Sequence, residues 1–180
     1  PRRHSDMALK RTVIYIVAAL LLCVSCSTDG CLDNQNAIPL AGFYDSASGS
    51  GISISNMQVS GVGAPGDSIL QPAGRAISQI YLPMRSTANK TEWCLHYISA
   101  DNPEADTDAF NDTIAFEYNS HEYFASEECG AMYLYEITHV RHTSHLVDSV
   151  VVTDSLITNV DLERIRIYFK AADDNDEPEQ

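Results

Sequence analysis

Period-two alternation of apolar and polar residues is the feature that most limits what this chain can become. It is cleanest near the C-terminus, where Ile165, Ile167 and Phe169 alternate with Arg164, Arg166, Tyr168 and Lys170. On a strand these two sets occupy opposite faces, one against a core and one in water. The same alternation runs through 80–82, 93–98, 114–118 and 132–135, and apolar runs at 38–44, 52–62 and 147–152 bring the candidates to eight or nine strands. Turn formers separate them: Asp45-Ser46, the Gly63 to Asp67 stretch, Asn89-Lys90, Asn119-Ser120 and Thr143-Ser144. No helical periodicity intervenes. The expectation is therefore an all-β chain, an antiparallel β-sandwich that is loosely immunoglobulin-like, forming one domain over 26–170. The acidic segment 100–112, with Pro103, is the longest connection and is expected to bulge into solvent.

The N-terminus reads as an export signal. Residues 1–6 precede the first methionine, so the physiological chain is expected to begin at Met7, with a signal peptide over 7–25. Lys10 and Arg11 give it a basic start, and 13–24 is an apolar run without a charge. That run falls short of the about 20 apolar residues a spanning helix needs. Leu22-Cys23-Val24-Ser25-Cys26 resembles the lipobox of bacterial lipoproteins, in which a small residue precedes the cysteine that becomes lipidated. Cys26 is the expected lipid acceptor, although Cys23 stands where a leucine is usual. Ser27 in place of an aspartate after the lipid cysteine resembles the sorting signal for the outer membrane, and with only Asp29 acidic nearby there is little resemblance to an acidic surface-export tag, so a periplasm-facing position is expected.

Charge narrows the partners. The chain carries 11 basic against 25 acidic residues, net −14. Loss of Arg2, Arg3, Lys10 and Arg11 with the signal makes the remainder more acidic still. Such a field repels phosphate backbones and anionic headgroups, so no nucleic-acid binding is expected, and attachment to a membrane must come from lipid. The tail over 171–180 is acidic, lacks an apolar anchor and is expected to be disordered.

Three cysteines remain once Cys23 leaves and Cys26 carries lipid, and three pairings are possible. A Cys31 to Cys129 bridge is expected. Both lie beside glycines, Gly30 and Gly130, where the backbone has freedom to meet disulfide geometry. Cys94 lies among apolar and aromatic residues and reads as a small buried hydrophobe.

Several blocks carry a family resemblance. Cys31-Leu32-Asp33, Gly42-Phe43-Tyr44-Asp45, Val62-Gly63 with Asp67-Ser68-Ile69-Leu70, Ser126-Glu127-Glu128-Cys129-Gly130 and Ile165-Arg166-Ile167-Tyr168-Phe169 resemble a family of uncharacterised, β-rich lipoproteins of Bacteroidota. The resemblance implies an envelope address and a β domain without an established activity, and it marks Cys31 and Cys129.

Candidate sites are few. Gly61-Val62-Gly63-Ala64-Pro65-Gly66 has the spacing of a dinucleotide loop, but Pro65 and Pro72 oppose the helix that such a loop must open, so it reads as a hairpin turn. His139, His142 and His145, with Asp148 nearby, could group as zinc or copper ligands. Strand phase places successive members on opposite faces, so they are expected not to converge and no cofactor is expected. Cys129 beside His121 could form an activated thiol, although an oxidising compartment favours a disulfide. Ser46, Ser68, Thr113, Ser149 and Ser155 each follow an aspartate and precede an apolar residue, which resembles the O-glycosylation acceptor of Bacteroidota envelope proteins. No serine-hydrolase elbow or zinc-protease helix motif occurs in the sequence. The reading is a non-enzymatic envelope lipoprotein that binds a protein partner or serves structurally. A metal-binding lipoprotein using His139, His142 and His145 is the alternative, and an envelope hydrolase the third.

Overall fold

The structure is a computed structural model that describes residues 37–64, 68–99, 108–126 and 130–170. The signal segment, Cys26, Cys31, Cys129 and the acidic tail lie outside the described residues. The described residues form ten strands: β1 (Leu40–Asp45), β2 (Met57–Gly61), β3 (Ile69–Gln71), β4 (Gln79–Tyr81), β5 (Lys90–Tyr97), β6 (Asp112–Ser126), β7 (Gly130–His142), β8 (Val147–Val152), β9 (Leu156–Ile157) and β10 (Glu163–Phe169). They form two sheets, a four-stranded one in the order β4-β1-β10-β8 and a six-stranded one in the order β3-β2-β5-β6-β7-β9.

The alternation read from sequence sets the two inner faces. Ile165, Ile167 and Phe169 of β10 and Phe43 of β1 face Val59 of β2, Trp93 and Leu95 of β5, and Ile114, Phe116 and Tyr118 of β6, all buried in one cluster. The Phe43 and Phe169 rings meet edge to face at 5.5 Å. Arg164, Arg166 and Tyr168 stand on the outer face as expected. There Glu163 accepts the Tyr44 hydroxyl at 2.8 Å and the Arg166 Nε–H at 2.9 Å. Its carboxylate lies over Gly42, where a Cβ would come within 2.1 Å of Oε2, so only glycine leaves room for this contact.

Three expectations need correction. The sandwich is not wholly antiparallel, because β1 and β10 pair in parallel; they lie at opposite ends of the chain, so no hairpin imposes their direction. β3 and β9 are additional strands, of three and two residues, too short to show a period. Asn119-Ser120 is not a turn: β6 runs straight through it, paired with β7 from Ile114↔His142 to Ser126↔Gly130. Thr143-Ser144 does separate two strands, carrying the chain from β7 in one sheet to β8 in the other. The glycine-rich segment after β2 does join an antiparallel pair, β2 with β3, with Gly63 at φ +66°.

Candidate functional site

Two polar constructions meet at the junction of β5 and β6, and alternation explains both. Trp93, Leu95 and Tyr97 of β5 point inward, which turns Cys94 and His96 to the outer face two positions apart. Cys94 is therefore half-buried on the polar side, which corrects its reading as a core hydrophobe. Its cross-strand neighbours are Ser60 on β2 and Thr113 on β6. Cys94 Sγ lies 3.8 Å from His96 Nδ1, Ser60 Oγ lies 2.9 Å from His96 Nε2, and Asn111 Nδ2 lies 3.2 Å from His96 Nδ1. Asn111 is oriented in turn by the Tyr97 N–H, which donates to its Oδ1 at 3.0 Å. Cys-x-His within a predicted strand was a sufficient sequence signal for this grouping. The pairing with Ser60 and Asn111 was not.

On the inner side Asp112 opens β6, fully buried rather than bulging into solvent. Its carboxylate accepts the backbone N–H groups of His145, Leu146 and Val147, each at 2.8 Å, the Thr143 hydroxyl at 2.7 Å and the Tyr97 hydroxyl at 3.3 Å. Burial alone would push this carboxyl up. The hydrogen bonds from Val147, His145, Thr143 and Leu146 outweigh it and hold the group below the ordinary aspartate range. Burial, reinforced by the Asp112 charge, pushes the Tyr97 phenol well up. Asp112 thus satisfies the amides of His145 and Leu146 in the crossover between the sheets and of Val147 where β8 begins.

The three histidines do not come together. His139 and His142 lie in one unbroken register with β6, and their spacing of three puts them on opposite faces. His139 pairs with Glu117 on the outer face, whereas His142 pairs with inward Ile114 and its Nδ1 lies 2.7 Å from the Thr143 carbonyl. His145 is exposed in the crossover, held by its backbone N–H. Among the described residues no group of three or more His, Cys, Asp or Glu side chains is arranged to hold a metal ion. His121 is exposed, 3.8 Å from Glu136; its suggested partner Cys129 is outside the described residues. Of the glycosylation candidates, Ser68 and Ser155 are exposed, while Ser46, Thr113 and Ser149 are half-buried.

Two cavities flank the Pro83-Met84 segment. One, of about 440 Å³, is lined by Ala37, Ile38, Met84, Ala131, Met132 and Tyr135 among others. The other, of about 250 Å³, lies against Val62, Ala64, Thr91 and Trp93. Between them the chain is pinned by Tyr118, whose hydroxyl donates to the Arg85 carbonyl at 2.9 Å and accepts the Arg85 N–H at 3.0 Å. The Tyr135 hydroxyl donates to the Met84 carbonyl at 3.3 Å. Beyond this point β6 and β7 continue without strand neighbours among the described residues, since β5 pairs with β6 only as far as Glu117 and β9 reaches β7 only at Tyr135 and Glu136. The result is a two-stranded arm bearing Tyr123 at 47%, Phe124 at 65% and Tyr133 at 37% exposure.

Residues 56–169, from β2 through β10, match the model of a family of unknown function, DUF6452. The chain belongs to that family. Within the DUF6452 match lie the Cys94, His96, Asn111 and Asp112 groupings and the arm, whereas β1 precedes it although it sits inside the four-stranded sheet. No curated protein and no solved structure matches the chain.

Proposed function

We propose that this DUF6452 protein is a non-enzymatic module of the cell envelope, held at the periplasmic side of the outer membrane by lipid on Cys26, that docks a protein partner through the β6–β7 arm. The observation that carries the reading is the arm itself. Tyr123, Phe124 and Tyr133 expose large apolar surface on strands that extend past the sandwich, and aromatic residues of this kind anchor protein interfaces. An acidic chain of net −14 favours a partner whose apolar patch has a basic rim. The lipid anchor rests on the sequence alone, and two acyl chains are what stable anchoring requires.

One experiment addresses both halves. Crosslinking in native membranes is compared for wild type, for Cys26→Ala and for a variant with Tyr123, Phe124 and Tyr133 all changed to serine. Cys26→Ala is expected to leave the membrane fraction. The serine variant is expected to stay there, melt close to wild type and lose its crosslinked partner. Retention of the same partner by the folded serine variant refutes the docking surface, and wild-type membrane partitioning of Cys26→Ala refutes the anchor.

A further inference from the structure

Two hydrogen bonds at the base of the arm fix the direction of its backbone groups. The Tyr118 N–H points away from β7 to the Asn89 carbonyl, and the Ile137 N–H, directly across from it, points away from β6 to the Ser155 carbonyl. Tyr118 and Ile137 therefore exchange no hydrogen bond with each other. In an antiparallel ladder such pairs recur at every second residue, and the register is unbroken from Tyr118↔Ile137 to Phe124↔Ala131. Ser120, Glu122 and Phe124 thus turn their N–H and C=O groups to the open side of β6. Among the described residues these groups have no backbone partner. A cleft of about 640 Å³, lined by 86–89 and 118–121, leads onto this edge. The side chains of the three residues share one face with Tyr133, whose hydroxyl donates to Glu122 Oε1 at 3.2 Å.

We propose, building on the docking role given to the arm above, that the open edge of β6 takes an extended segment of the partner protein as an added antiparallel strand. An unpaired edge is a template for such pairing, and both strands that β6 already pairs with, β5 and β7, run antiparallel to it. The register assigns the chemistry of the segment. It sets an apolar residue opposite Phe124, a lysine or arginine opposite Glu122 and a small polar residue opposite Ser120, at spacings of two. A second copy of this chain fits poorly. With all three edge residues in use, a two-fold axis would set Glu122 against Glu122, and each copy carries net −14.

The probe is a synthetic peptide, Lys-Thr-Phe-Val-Lys-Thr-Thr-Val-Lys, titrated into the full chain; its Phe, the Lys two positions on and the Thr two beyond that meet Phe124, Glu122 and Ser120. Methylating the backbone nitrogens of those three residues, which face β6, is expected to weaken binding roughly tenfold or more. Methylating instead the nitrogen that follows each of them, which faces away, is expected to leave affinity within about threefold. Glu122→Pro removes an outward N–H and keeps the β7 ladder, a change that an edge strand tolerates. It is expected to abolish binding while the circular dichroism spectrum stays native, whereas Glu122→Ala is expected to weaken binding only about threefold. Equal binding by the two methylated peptides, wild-type binding by folded Glu122→Pro, or no binding of the unmethylated peptide at about 1 mM would overturn the added strand. Should Glu122→Pro not fold, the two methylated peptides still decide with the wild-type chain. The docking reading itself is judged by the serine variant of the arm. A crosslinked partner lost there but kept by folded Glu122→Pro would leave docking through side chains standing and refute strand addition alone.

Discussion

Asp112→Ala is expected to destabilise the protein by roughly 3 to 4 kcal/mol, a large effect for one side chain. The alanine would leave the amides of His145, Leu146 and Val147 facing a hole inside the fold, together with the Thr143 and Tyr97 hydroxyls. Each buried donor deprived of its acceptor costs about 1 to 3 kcal/mol, and the sum is held down because water can enter. Asp112→Asn keeps the shape but turns one acceptor into a donor facing donors, so it too is expected to be costly. The carboxylate also predicts the direction of acid sensitivity. Its folded value lies below its unfolded value of about 3.9. The contribution to stability is therefore complete above the unfolded value and is lost as pH falls through the folded one. Urea unfolding from neutral to strongly acidic pH for wild type and Asp112→Asn measures both effects. The gap between the two proteins should be widest at neutral pH and should narrow in acid; a constant gap, or one below about 1 kcal/mol at neutral pH, would show that the carboxylate does not hold the crossover.

Reduction of the exported protein is expected to cost up to about 4.7 kcal/mol through loss of a Cys31 to Cys129 bridge, the figure chain entropy gives for a closed loop of about a hundred residues. Both cysteines lie outside the described residues, and the pairing rests on the sequence. Non-reducing peptide mapping is expected to return one linked peptide pair containing Cys31 and Cys129, and reductant is expected to lower the melting temperature. A linked peptide containing Cys94, or three alkylatable thiols without reductant, would contradict this bridge.

Strand positions were readable because a buried face imposes its own alternation on the residues that make it. The spacing of Ile165, Ile167 and Phe169 alone assigns them to the core, and they are buried there. The same period, applied to Cys94, would have turned it outward beside His96; its apolar neighbours suggested burial, but on a strand adjacent residues belong to the other face. The misreading of Asn119-Ser120 has a different origin. Turn residues are tolerated within a strand when a long partner supplies the ladder, and β7 does so along the length of β6.

The sequence by itself determined the class of fold, the faces of the strands that are long enough to show a period, and the net acidity of the chain. These are local or summed properties, carried by neighbouring residues or by composition. Only the tertiary structure decided that β1 and β10 pair in parallel, that Asp112 caps the crossover some thirty residues downstream, and that Ser60, Cys94, His96 and Asn111 share one set of hydrogen bonds. Each of these depends on register between strands distant in the chain. Register is set by how two sheets close over a common core, which no local pattern encodes.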